Sequence, residues 1–101
     1  MADIEYYDKR CKSLVEVTLM TSRNQSIVEI PAITRHLQEE IKKESKHLIF
    51  SVFIAPVIHA DSKYMSEFSK SRYQVTILPY DIEGFISNIK NKTSLSDLLV
   101  S

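Results

Sequence analysis

His47-Leu-Ile-Phe-Ser-Val-Phe-Ile-Ala55 carries an apolar side chain at nearly every position before Pro56 ends the run. A strand with one wet face alternates in polarity, so so continuous a run predicts a strand covered on both faces, in the middle of a sheet. Upstream, Ile30, Ile33, Leu37 and Ile41 recur at helical spacing, which predicts a helix from Ile27 to about Lys46. Pro31 suits its first turn, and Glu39 and Lys43 form an i,i+4 pair on the exposed face. Should the helix begin before residue 27, Pro31 falls inside it and disturbs it. Further upstream, Asp3 to Tyr7 and Leu14 to Met20 read as two strands of a hairpin. The polar run Asp8 to Lys12 between them lacks Asn-Gly or Asp-Gly, which predicts a longer or bulged connection. Downstream, Asp61 caps a helix carrying Tyr64, Met65 and Phe68 as core residues. A strand follows from Gln74 to Leu78, then a helix opened by Asp81 carrying Phe85, Ile86 and Ile89. The stretch Thr93 to Val100 forms one amphipathic turn or frays. The expected fold is α/β, a mixed sheet flanked by helices in the order ββαβαβα, because strands separated by helices need crossovers and become parallel neighbours.

Composition narrows the function. The 101 residues, 44% apolar and 26% charged, fit a single domain, residues 1–101. Thirteen Lys and Arg balance thirteen Asp and Glu, so there is no basic tail for phosphates. A single glycine, Gly84, excludes the glycine-rich dinucleotide turn and the P-loop. One cysteine, Cys11, read as a turn residue, excludes a disulfide scaffold and a CxxC zinc site. The longest apolar run, Leu48 to Ile58, is too short to span a bilayer, and Met1 opens no secretory leader. The expectation is a cytoplasmic protein with no membrane partner.

The candidate chemistry lies in acids set among apolar residues. Strand alternation puts Glu16 and Thr18 on one face and Val15, Val17 and Leu19 on the other, read as the core side. A hairpin register whose positions sum to an odd number such as 19 or 21 places Asp3 beside Glu16 or Thr18. Two carboxylates converging in this way suit a hard divalent cation such as Mg²⁺. Glu29 and His36 are seven residues apart, about 700° around a helix, and so share one face; Gln25 extends that polar stripe. Singly these signals are weak, because a strand Glu is more often a solvated edge residue and a helical His more often structural. The segment Gln38 to Glu44 reads as a solvated helix face, and His59 as a loop residue beside a cap.

The strings Asp3-Ile-Glu, Leu14-Val-Glu-Val-Thr-Leu, Gln25 with Glu29, and Arg35-His36-Leu resemble the catalytic region of AlwI-like type II restriction endonucleases. These belong to the PD-(D/E)xK nuclease superfamily. The resemblance continues through Phe53-Ile-Ala-Pro and Ile77-Leu-Pro-Tyr-Asp-Ile-Glu-Gly-Phe and so covers most of the chain. It implies a restriction-endonuclease-like core that hydrolyses double-stranded DNA with Mg²⁺, for which Mn²⁺ substitutes. It also implies Asp3 and Glu16 as metal ligands, Thr18 where most of the superfamily has Lys, and Glu29 and His36 as the acidic and His positions of the next helix. Ala2 stands where the family has Pro, and the expectation is a truncated catalytic core that acts as a homodimer or with a partner recognition subunit. The alternative reading is a non-catalytic interaction module, a degenerate nuclease remnant that pairs with another subunit through an edge strand.

Overall fold

The structure, a computed structural model, describes residues 4–8, 10–43, 46–90, 92 and 94–100. Four strands, β1 (Ile4–Asp8), β2 (Cys11–Val17), β3 (Leu48–Ala55) and β4 (Ile77–Asp81), form one sheet in the order β1-β2-β3-β4. β1 and β2 are antiparallel, whereas β2, β3 and β4 run parallel. The helices α1 (Ile30–Lys43), α2 (Ala60–Tyr73) and α3 (Ile82–Ile89) alternate with the strands, giving the expected mixed sheet in the order ββαβαβα. A 3₁₀ turn at Leu95–Val100 follows.

β3 lies inside the sheet, and its residues from Ile49 to Ala55 are all buried. One core lies beneath α1 and α2, with Leu14, Ile30, Ile33, Leu37, Ile49 and Phe53 among its members. The other lies on the opposite face, where Val15, Phe50, Val52 and Ile54 meet Phe85, Ile89 and Leu98. The core side therefore differs from the sequence reading, because both faces of β2 are covered. Val17 and Leu19, expected inside, are exposed beyond the covered length of the strand.

The hairpin is tighter than expected. Asp8 pairs with Cys11, so only positions 9 and 10 separate the strands, and residue 9 lies outside the described residues. Cys11 and Lys12 consequently belong to β2 and are buried, not part of a turn. Parallel pairing with β3, which begins with the Leu48 N–H donating to the Arg10 carbonyl at 2.7 Å, supplies the order that an Asn-Gly turn would otherwise provide.

The first crossover also starts early. A π-helical stretch, Gln25–Glu29, precedes α1, and the Ile30 N–H donates to the Gln25 carbonyl. Pro31 is the second residue of α1 and lacks the N–H that would continue the ladder, so the turn ahead of it widens instead.

α2 departs furthest from expectation. Its buried residues are Ser62, Ser66 and Ser69, whereas Tyr64 and Phe68 are exposed and only Met65 packs partly on the core. The cap is His59, whose Nδ1 accepts from the Asp61 N–H at 3.1 Å, and Asp61 sits inside the first turn. β4 starts three residues later than expected, because Gln74, at φ 60°, ends α2 in a left-handed cap and Val75 then enters the core. Its Pro79 is tolerated because the Ser51 N–H donates to the Thr76 carbonyl. Alternation then turns residues 76, 78 and 80 toward β3 and leaves the Pro79 nitrogen on the outer edge. Asp81 caps α3 as expected, with its Oδ1 accepting from the Gly84 N–H at 2.6 Å. A Cβ at Gly84 would come within 2.8 Å of that oxygen, which accounts for the chain's one glycine.

Candidate functional site

Even-numbered residues of β2 face α1. On this face Lys12, Leu14 and Glu16 are all buried, so Leu14 is flanked along the strand by a cation and an acid. A buried carboxylate in apolar surroundings is costly unless it is paired. For Glu16 the partner comes from α1, where His36 Nδ1 lies 3.4 Å from Oε2. One step beyond the strand, Thr18 continues the parallel ladder, its N–H donating to the Ile54 carbonyl at 3.0 Å. The Thr18 hydroxyl donates to Glu29 Oε1 at 3.1 Å and accepts from the Met20 N–H at 3.1 Å. Glu16 and Thr18 are thus matched, one for one, by His36 and Glu29 from the next helical segment. This cluster lies at the carboxyl end of the parallel strands, where α/β sheets hold their ligands.

The hairpin register is Ile4 opposite Val15, so paired positions sum to 19, the odd-sum register on which the convergence of the acids depends. Asp3 itself lies outside the described residues. The structure therefore brings together Glu16, Thr18, Glu29 and His36 from the predicted set.

Two members of the same polar face are missing from the sequence reading. Lys12 Nζ donates to Glu40 Oε1 at 2.6 Å and lies 3.5 Å from Glu5. Glu40 Oε2 in turn lies 3.8 Å from His36 Nε2 and 3.6 Å from Lys43. The hydrogen bond to Glu40 holds the Lys12 ammonium well above the usual lysine range, outweighing the opposing effect of burial. The same bond holds the Glu40 carboxyl below its ordinary value. His36 therefore sits between two carboxylates, one of them fixed by a buried lysine. Glu40 corrects the reading of residues 38–44 as a solvated face. The signal was available: Lys12, Leu14 and Glu16 share a strand face, and His36 and Glu40 are one helical turn apart.

Gln25, expected to extend the polar stripe, is instead a buried tie. Its Nε2 donates to the Met20 and Val57 carbonyls at 2.5 and 2.6 Å, and its Oε1 accepts from the His59 N–H and the Ser62 hydroxyl, both at 2.9 Å. One side chain thereby uses both amide donors and both acceptor positions to join the segment after β2 to the segment after β3. This fixes the π-helical turn that presents Glu29.

The oxygen donors at the site are of the kind a hard divalent cation prefers. Among the described residues, no three His, Cys, Asp or Glu side chains form a group that could hold a metal ion. No helix in the described residues is long and apolar enough to cross a membrane.

An antiparallel hairpin feeding a parallel sheet, with helices on both faces, defines a restriction-endonuclease-like α/β core. Residues 1–87 match the family model described as AlwI restriction endonuclease, and the chain belongs to that family. The match runs from the hairpin into α3 and includes every side chain of the polar cluster. Its fold is accordingly nuclease-like. No curated protein matches the chain.

Proposed function

We propose that this chain is the cleavage core of a divalent-metal-dependent endonuclease that hydrolyses phosphodiesters of double-stranded DNA. The observation that carries the reading is the one-for-one facing of Glu16 and Thr18 by His36 and Glu29 at the carboxyl end of β2, in a chain of this family. Asp3 and Glu16 would hold the cation, with Asp3 supplying the carboxylate that the described residues lack. When bound, Mg²⁺, or Mn²⁺ in its place, supplies Lewis-acid charge to the scissile phosphate.

The remaining roles fall to the chain's own side chains. Thr18 carries no positive charge and its proton is committed to Glu29, so it orients that carboxylate and does not act as the superfamily's lysine. Glu29 positions the attacking water. His36, the type of side chain that changes charge near neutrality, accepts and relays the proton. Glu40 and Lys12 hold the imidazole edge opposite Glu16. Sequence recognition comes from a second copy or a partner subunit, because a chain with no net charge gains little phosphate affinity by itself.

Supercoiled plasmid incubated with the chain and Mg²⁺ or Mn²⁺ tests the reading. Nicked or linear product is expected from the wild type, and a loss of at least about a hundredfold in rate from Glu16→Ala. Cutting that survives Glu16→Ala at full rate contradicts the assignment.

A further inference from the structure

α2 turns serines inward and aromatic residues outward, and the outward side does not read as an ordinary wet face. Tyr64 is 71% exposed, Phe68 51% and Tyr73 45%, with Ile27 of the π-helical turn at 57%. Together with Pro31 and Met65 they line a furrow between α1 and α2, made of two adjoining hollows of about 510 and 240 Å³ that share those last two residues. These four exposed side chains offer on the order of 400 Å² of surface, about half of what one partner contributes to a standard-sized interface. Contiguous apolar surface of that extent marks an interaction site.

The charges around the furrow select the occupant. α2 carries an acid in its first turn, Asp61, and cations in its last, Lys70 and Arg72. Two copies of α2 packed antiparallel would set Asp61 of each against Arg72 of the other, with opposed helix dipoles and with Tyr64 and Phe68 meeting at the centre. A strand of nucleic acid fits less well. Asp61 and Glu39 lie beside the hollows, and Arg23 is already paired with Asp61 at 3.0 Å. Phe68 and Tyr73 also pack edge to face at 6.2 Å and 83°, which closes a ring face that a base would need.

We propose that the α1–α2 furrow is the surface through which two copies of this chain pair, by antiparallel contact of α2 with its symmetry mate. The proposal rests on the pairing named in the functional reading but not on its chemistry. A failed dimer would leave the cleavage site untested, and a failed cleavage assay would leave the dimer standing.

Sedimentation equilibrium of the full chain over a wide concentration range tests it. A reversible dimer is expected, with a dissociation constant raised at least about tenfold by Tyr64→Arg or Phe68→Glu. Both positions are exposed, so unchanged circular dichroism accompanies the loss. Asp61→Arg and Arg72→Asp should each weaken the dimer, and the two combined should restore it. A chain that stays monomeric at every concentration overturns the proposal, as does a dimer indifferent to Phe68→Glu. A double charge reversal no tighter than either single one also overturns the antiparallel arrangement. Tyr64-dependent quenching of a monomer by a single-stranded oligonucleotide would make the furrow a nucleic-acid platform instead.

Discussion

α1 and α2 cover the same face of the sheet but direct opposite chemistry toward it. α1 buries Ile30, Ile33 and Leu37 and reserves its flank for Glu29, His36 and Glu40. α2 buries Ser62, Ser66 and Ser69 and leaves Tyr64 and Phe68 in solvent. The serines work as an inner face because they are small and their hydroxyls are satisfied nearby. Ser62 donates to Gln25 and Ser66 to the Ser62 carbonyl, each at 2.9 Å, while Ser69 lies 2.8 Å from the Thr34 hydroxyl. Close approach without orphaned polar groups replaces apolar burial on that helix. An apolar stripe at helical spacing therefore shows that a helix has two faces, without fixing which one points inward.

The contrast predicts a hierarchy of stability effects. The largest is Leu37→Ala, which opens a cavity under α1 and should cost about 2–5 kcal/mol by urea denaturation. A cost near zero would mean that α1 does not anchor the sheet. Next comes the polar flank of α1, where Lys12→Met removes the hydrogen bond to Glu40 and should cost about 2 kcal/mol near neutral pH. The pH dependence of that difference has a definite sign. The raised Lys12 value contributes fully below the ordinary lysine range and is lost only as pH rises through the folded value. The lowered Glu40 value contributes above the ordinary carboxyl value of 4.5 and is lost as pH falls through the folded one. The gap between wild type and Lys12→Met should therefore stay constant through the neutral range and shrink in acid. A gap that widens in acid would contradict the pairing. The smallest effect is Tyr64→Ala, measured where the chain is monomeric, which should change stability by about 0.5 kcal/mol or less. A larger loss would place Tyr64 in the monomer's own packing and remove the contrast between the helices.

Most of the architecture was legible because it follows from period and connectivity. The unbroken apolar run of β3 required a central strand, and the helices between strands required parallel neighbours. What escaped was set by tertiary contacts. The short hairpin is registered by β3, and Pro79 is admitted to β4 because its nitrogen faces the sheet's outer edge. At the site, the pairing of acids with α1 was readable from the shared strand face and the seven-residue spacing of Glu29 and His36. Lys12 was not, because the expected long turn consumed it, and with it went the link to Glu40. Gln25 looked like one more polar residue on the stripe, since nothing local reveals that an amide will tie together two segments more than thirty residues apart.

Calorimetric titration of Mn²⁺ into the full chain and into Glu16→Gln measures most directly whether this acid-bearing face is a metal centre. The account predicts a saturable isotherm for the wild type and an affinity at least about tenfold weaker for the variant, with circular dichroism unchanged. Equal affinities in the two proteins would contradict it.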